Sequence, residues 1–216
     1  PAAGGTGPGM SGSVRQGAGA GNAGRNNVSG ARGQESTVWN GSLDGSPGRG
    51  QPASELAFEE LALRASSVVM IAIHDGKGDV IGSGSGIMVG RDGYILTNDH
   101  VARGGKFYSV RIENDEGVYK TDEIIKYNSL LDLAVIRIDR RLQPLPIYKG
   151  PRPLARGQKV VAIGSPLGLF NSVSDGIISG FRKIRDVDMI QFTAPISHGS
   201  SGGAVLNMYG EVIGVS

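Results

Sequence analysis

No cysteine occurs among the 216 residues, which excludes disulfide bridges, thiolate metal centres and a cysteine nucleophile together. It leaves the compartment open. Histidine is limited to three residues, His74, His100 and His198, so an imidazole base can come from only three places. No apolar run reaches the ~18 residues that a membrane helix requires, and the first residues lack the basic start and apolar stretch of a secretion signal. No membrane contact is therefore expected from this chain. An excess of one charge sign is missing too, because 22 Lys and Arg stand against 20 Asp and Glu, and the net +2 is not gathered into a basic block. That argues against a nucleic-acid partner.

What the chain has in abundance is glycine, 36 residues of it, against a usual share of ~7%. Much of it lies in residues 1–52, from "PAAGGTGPGM" to "SPGRGQP", where Gly, Ser, Ala and Asn prevail and apolar residues show no period. Such a stretch cannot bury enough surface to offset chain entropy, and a disordered linker is expected. It holds "GAGNAG" at 19–24; with no strand before it and no helix after it, this is not read as a dinucleotide fingerprint. Asn27 and Asn40 stand in N-x-S sequons, relevant only to a protein exported by a eukaryote.

The folded part is expected over 53–216. Ser54 is placed to cap a helix over "SELAFEELALRA", with Leu56, Leu61 and Leu63 as its apolar side. Beyond it the pattern changes to short runs rich in Val and Ile between Gly, Asp and Asn turns, as in "SVVMIAIHDGKGDVIGSGSGIMVGRDGYILTN". Further runs are "KFYSVRIE", "VYKTDEIIKY", "DLAVIRID", "QKVVAIGS", "SVSDGIISGFRKI", "MIQFTA", "GAVLN" and "GEVIGV". Many short strands at regular spacing predict an antiparallel all-β sandwich or barrel. The chain starts at Pro1 and stops just after "GEVIGVS", which reads as an unfinished strand. It is expected to be a piece of a longer protein.

The segment with the most chemistry is "PISHGSSGGAVLN", 195–207, where Ser200 and Ser201 sit side by side between glycines. A serine hydroxyl attacks a carbonyl only if a base takes its proton and donors receive the oxyanion. His74 closes a strand at a turn and reads as a surface residue, whereas His100 follows the apolar run "YILTN" and has a rigid mount. Imidazole in turn needs an orienting acid. Asp132 opens the half-buried pattern "DLAVIRID"; Asp139 precedes two arginines and reads as solvated, and Asp99 neighbours His100 in sequence, where extended side chains point apart. Asp132 is the best acid.

The segments "SGSGIMVGRDGYILTNDHV", "NSLLDLAVIRI" and "IQFTAPISHGSSGGAVLN…GEVIGV", in that order and joined by "AIGSPLGLFNSVSDGIISG", resemble trypsin-like serine proteases of the HtrA (Deg) type. The resemblance runs from about Ser66 to Ser216. It implies an all-β, trypsin-like double β-barrel with the cleft between the barrels, here preceded by a short helix and the disordered segment, and with the last strands of the second barrel missing. By position His100 matches the general base, Asp132 the orienting acid and Ser201 the nucleophile, in a G-x-S-G-G spanning 199–203. The N–H groups of Gly199 and Ser201 match the oxyanion hole. Ser200 stands where digestive trypsins carry an acid for a newly cut amine, so activation by N-terminal cleavage is not expected. "GSSGG" also fits the G-x-S-x-G elbow of α/β-hydrolases, but no histidine follows Ser201.

The resemblance further implies a substrate held as an added strand. Its subsites are matched by Thr193, Ala194, Pro195, Ile196, His198, Ile213, Gly214 and Val215. None of these is acidic, so a small or medium aliphatic P1 residue is expected. The implied partners are unfolded proteins or peptides, the implied assembly a homotrimer and the implied location extracytoplasmic, with any membrane anchor in a missing N-terminus. No cofactor and no metal are expected. Glycines 82–86 are read as backbone approaching the cleft, residues 165–176 as a loop that can change order, and His198 as a rim residue. The competing reading is a catalytically silent, chaperone-like peptide-binding module on the same fold.

Overall fold

The computed structural model describes residues 12–15, 54–150, 153–165, 170–184 and 186–216. "GAGNAG", Asn27 and Asn40 lie outside them. Thirteen strands in two β units carry the described chain, with two short helices.

The first unit is a seven-stranded antiparallel sheet. Its strands are β2 (Val68–His74), β3 (Val80–Met88), β4 (Tyr94–Thr97), β5 (Phe107–Ile112), β6 (Val118–Thr121), β7 (Ile124–Asn128) and β8 (Leu133–Arg137), in the order β6-β5-β2-β3-β4-β8-β7. "VYKTDEIIKY", expected as one strand, divides into β6 and β7. The Thr121 hydroxyl accepts the Glu123 N–H and donates to the Arg137 carbonyl, which turns the chain at 122. Ile71, Ile95, Val110, Tyr108 and Ile136 form the core of this unit.

The second unit is a closed barrel. It contains β9 (Lys159–Gly164), β10 (Ser172–Ile184), β11 (Val187–Phe192), β12 (Ala204–Asn207) and β13 (Val212–Val215), and Phe192, Ile178, Ile190 and Val205 fill its interior. The circuit is completed by β1 (Gly12–Arg15), which runs antiparallel to β11 from Gly12↔Phe192 to Arg15↔Met189 and touches β13 at Arg15↔Val215. This strand lies inside the segment expected to be a linker. Main-chain pairing between two strand edges needs no apolar period, so composition gives no sign of it.

A third apolar cluster joins the units, combining Val68 and Ile87 of the first with Val161, Ile163, Leu206 and Val215 of the barrel. Leu61 and Ala65 plug it from the short helix α1 (Phe58–Ala62) and the 3-10 turn Leu63–Ser67. The helix starts later than Ser54 because the Leu56 N–H is used by the Met208 carbonyl, which keeps the approach extended. Ala57 takes the cap position, and the Glu60 carboxylate accepts its N–H at 2.9 Å. Leu63, expected on the apolar side, is 75% exposed, since the tighter turn that begins there rotates it outward.

Phe192 has no exposure and lies in the barrel interior. Phe192→Ala is expected to lower unfolding free energy by about 3–5 kcal/mol, the range for aromatic truncation in a packed core, as read from urea denaturation.

Candidate active site

The chain turns from β4 into a second short helix, α2 (Asp99–Ala102), so His100 sits on a helical turn rather than an extended strand end. The Tyr108 hydroxyl donates to the Ala102 carbonyl and anchors the far end of that turn. Burial raises the Tyr108 phenol above its ordinary value, which keeps it a donor. Asp99 is removed as a rival acid by this geometry. Its buried carboxylate accepts Arg103 Nε at 2.7 Å and Nη2 at 2.6 Å, one helical turn on.

Asp132 immediately precedes β8 in a left-handed conformation, φ 52°, which Asp tolerates better than most residues. Its backbone carbonyl accepts from the Asn98 amide at 3.1 Å. The carboxylate accepts the His100 N–H at 3.0 Å and faces His100 Nδ1 at 2.9 and 3.1 Å. A carboxylate only accepts, so Nδ1 carries the proton and Nε2 of the neutral ring presents its lone pair. His74 is engaged elsewhere: Nδ1 bonds the Gly78 carbonyl at 3.0 Å, and the ring stacks on Phe107 at 4.5 Å.

Ser201 lies in the turn between β11 and β12. Gly84 of β3 brings the two halves together, since Val101, next to His100, and the Ser201 carbonyl both pack on it. The neighbouring Ser85 N–H donates to that carbonyl at 2.7 Å. Of the glycines at 82–86, Gly84 alone brings backbone up to this turn, while Gly82 packs on Ile73 and Gly86 on Ile95 and Ile71. Among the described residues the Ser201 hydroxyl makes no hydrogen bond, and neither Gly199 N–H nor Ser201 N–H donates to a protein group. Among the described residues, then, no hydrogen bond joins Ser201 Oγ to the His100 ring; such bonds are often long before a substrate is bound.

Gly199 has φ +91°, a region open to glycine at no cost. Gly202 has φ +88°, and a Cβ there would run into the Ser85 carbonyl and the Thr97 hydroxyl. Sequence reading did not single out the hydroxyls that hold this turn. The Ser85 hydroxyl donates to the Gly199 carbonyl at 2.7 Å and accepts the Ser165 N–H at 2.8 Å. Ser216 Oγ donates to the Ser200 carbonyl at 2.7 Å. A lone serine in a strand carries no local signal of such contacts, because the partners of Ser85 lie 80 and 114 residues away.

The expected subsite residues separate into groups. Pro195 and Ile196 line a cavity of about 240 Å³ with Ser174, Ser197, Ser200 and Ser216, and no lining side chain is charged. Ala194 is buried in the barrel core. Thr193 is occupied with β10, its hydroxyl accepting the Ile177 N–H at 3.0 Å. His198 is exposed beside the turn, as a rim residue would be. Ile213, Gly214 and Val215 are buried in β13, and Ile213 lines a second cavity of about 330 Å³ with Tyr148, Met208 and Glu211. Of the loop 165–176, residues 166–169 lie outside the described residues. Asn171 is anchored, its amide donating to the Ala65 carbonyl at 2.7 Å and to Glu113 at 2.9 Å. Among the described residues no group of His, Asp and Glu is arranged to hold a metal ion.

The family model described as a trypsin-like peptidase domain matches residues 84–215. The chain is 38% identical over 137 residues to a probable periplasmic serine endoprotease, DegP-like, of Halomonas elongata, covering 62% of this chain and 28% of that protein. It is 38% identical over 144 residues to serine protease HTRA4 of Homo sapiens, 62% and 30% of the two chains. It is also 34% identical over 164 residues to anti-sigma-I factor RsgI9 of Acetivibrio thermocellus, 75% and 23%. The chain therefore spans between 23% and 30% of the length of these three relatives. Among solved structures, a serine endoprotease from Yersinia pestis matches with a TM-score of 0.63 at 32% identity, over 75% of this chain and 58% of that one. The two β units are those of the double-barrel fold.

Gly202→Ala and Gly157→Ala separate strain from collision, since Gly157 has φ +83° but open space where a Cβ would sit. The expected loss at Gly157 is roughly 1–2 kcal/mol from the left-handed backbone alone. A larger loss is expected at Gly202, read from chemical denaturation of both variants.

Proposed function

Because the chain belongs to the trypsin-like peptidase family, with a protease domain of the HtrA type, we propose that it hydrolyses peptide bonds through His100, Asp132 and Ser201. The observation that carries this reading is the Asp132 carboxylate clasping both the Nδ1 and the backbone N–H of His100. That clasp fixes the ring tautomer and stabilises the imidazolium that forms as the base accepts a proton.

In the proposed reaction, His100 Nε2 takes the Ser201 proton as Oγ attacks the scissile carbonyl. The oxyanion is received by the N–H groups of Gly199 and Ser201, both without a protein acceptor at rest among the described residues. His100 then passes its proton to the leaving amine, and water releases the acyl group from Ser201 by the same steps in reverse. The neutral cavity beside Ser200, walled by Pro195 and Ile196, supports an uncharged P1 side chain of small or medium size. Extended polypeptide is the substrate class that suits strand addition, and unfolded protein supplies it. The likeness to a protein named as a periplasmic endoprotease supports a location outside the cytoplasm. The Asp132 clasp on His100, which a peptide-binding module has no need of, favours turnover over a silent binding module.

Labelling with a fluorophosphonate is expected to occur in the unaltered chain and in Ser200→Ala, and to vanish in Ser201→Ala. Labelling that survives Ser201→Ala, or none in the folded chain, would overturn the assignment. Asp132→Asn is expected to lower kcat by about 10⁴-fold, because the amide favours the wrong imidazole tautomer; steady-state hydrolysis of a peptide with an aliphatic P1 residue measures it.

A further inference from the structure

Ser85 has no solvent exposure, lies on β3 in the first β unit, and commits each of its polar groups to the site. Its hydroxyl donates to the Gly199 carbonyl at 2.7 Å and accepts the Ser165 N–H at 2.8 Å. Its N–H donates to the Ser201 carbonyl, and its own carbonyl accepts the Thr97 hydroxyl, both at 2.7 Å. We propose that Ser85 is a positioning residue for the oxyanion hole, the link through which the first β unit sets the aim of the Gly199 and Ser201 N–H groups. This rests on the protease reading above.

Peptide planarity passes a hold on a carbonyl to the amide beside it. In a trans peptide the carbonyl and the N–H point in opposite directions, so holding one aims the other. The Ser200 carbonyl is held by Ser216 Oγ at 2.7 Å and by the Gly203 N–H at 2.8 Å, which turns the Ser201 N–H the other way. The next plane is held at both ends, with the Ser201 carbonyl on the Ser85 N–H and the Gly202 N–H on the Ser216 carbonyl at 2.9 Å. On the other side of Ser200, the Gly199 carbonyl is held by the Ser85 hydroxyl and the Ser200 N–H by the Ser197 carbonyl at 3.0 Å. Ser85 therefore holds the two planes that flank the Ser200–Ser201 peptide, and by fixing the Gly199 carbonyl it also limits the Gly199 torsions that aim that residue's N–H; of the two holds, only this one depends on its side chain.

Gly199 has the widest torsional freedom in the turn. A hydroxyl has a single proton, so Ser85 gives its one donation to the Gly199 carbonyl while a lone pair accepts the Ser165 N–H, and with no exposure no water competes. Ser85→Ala leaves both backbone bonds of residue 85 in place and removes only these two. The Ser165 N–H then lacks a partner in a buried place and the Gly199 carbonyl in a half-buried one, and the turn must shift to recover them. Ser85→Thr keeps the hydroxyl, and Ser85→Cys keeps the shape with a much weaker donor.

The test uses the full chain in these three variants. It reads peptide hydrolysis, the affinity of a peptide boronic acid that forms a tetrahedral adduct on Ser201, and the affinity of the uncleaved peptide in a Ser201→Ala background. Ser85→Ala is expected to lose about 100-fold in kcat, on the scale of one oxyanion donor, with KM nearly unchanged. Boronate affinity is expected to fall in parallel while uncleaved-peptide affinity holds, and Ser85→Thr is expected to restore most of the loss. Unchanged kcat in Ser85→Ala would overturn the inference, as would equal losses of boronate and peptide affinity, the mark of a merely structural role. If Ser85→Ala does not fold, Ser85→Cys against Ser85→Thr decides: a lower kcat at equal KM in Cys supports the role, and equal kcat overturns it. Absence of Ser201-dependent turnover in the unaltered chain would overturn the protease reading, and this inference with it. Turnover there with Ser85→Ala unaffected would overturn the inference alone.

Discussion

The site depends on one contact, the hydrogen-bonded seam between β3 of the first β unit and the turn that carries Ser201 in the second. Neither unit holds the chemistry alone, because His100 and Asp132 belong to the sheet and Ser201, Gly199 and the neutral cavity belong to the barrel. Apolar burial at Val68, Ile87, Ile163 and Leu206, plugged by Leu61 and Ala65, supplies the non-directional attraction that brings the units together. It does not fix where they stop sliding. The directional bonds of Ser85 to Gly199, Ser201 and Ser165 do, since buried donors and acceptors are costly to leave unpaired.

Charges around the proposed base are arranged with similar economy. Two aspartates flank His100 in space or sequence, and they are separated by their partners. Asp99 is buried and engaged by both Arg103 donors, while Asp132 turns its oxygens to the imidazole and the adjoining amide. The bond to Asp99 holds the Arg103 guanidinium above its ordinary value, so it stays a charged donor to that carboxylate. His100 is left with a single acid, which is what a defined tautomer requires.

Much of this was legible beforehand. Runs such as "VVMIAIH" and "KVVAIG" were strands in sequence and are strands in the structure, because alternation and β-branched residues act locally. The helix before them was misjudged in extent at Ser54 and Leu63, where one long-range bond, Leu56 to Met208, overrides the local cap. The strand Gly12–Arg15 left no trace in composition, because what defines it is the pair of edges on β11 and β13. Ile213 to Val215 stand beside the expected cleft by resemblance, and the fold places them in β13 with their side chains buried.

By itself, then, the sequence determined the all-β class and the absence of thiol chemistry, since these are written in residue types and short-range patterns, and its resemblance to a family put forward His100, Asp132 and Ser201 as a set. The tertiary structure alone decided which groups hold that set in place. Ser85 and Ser165 lie 80 residues apart, and Ser85 and Gly199 lie 114 apart. A hydroxyl shows no preference in sequence for a carbonyl it will meet only after two sheets have packed, so its role becomes visible only when their geometry is set.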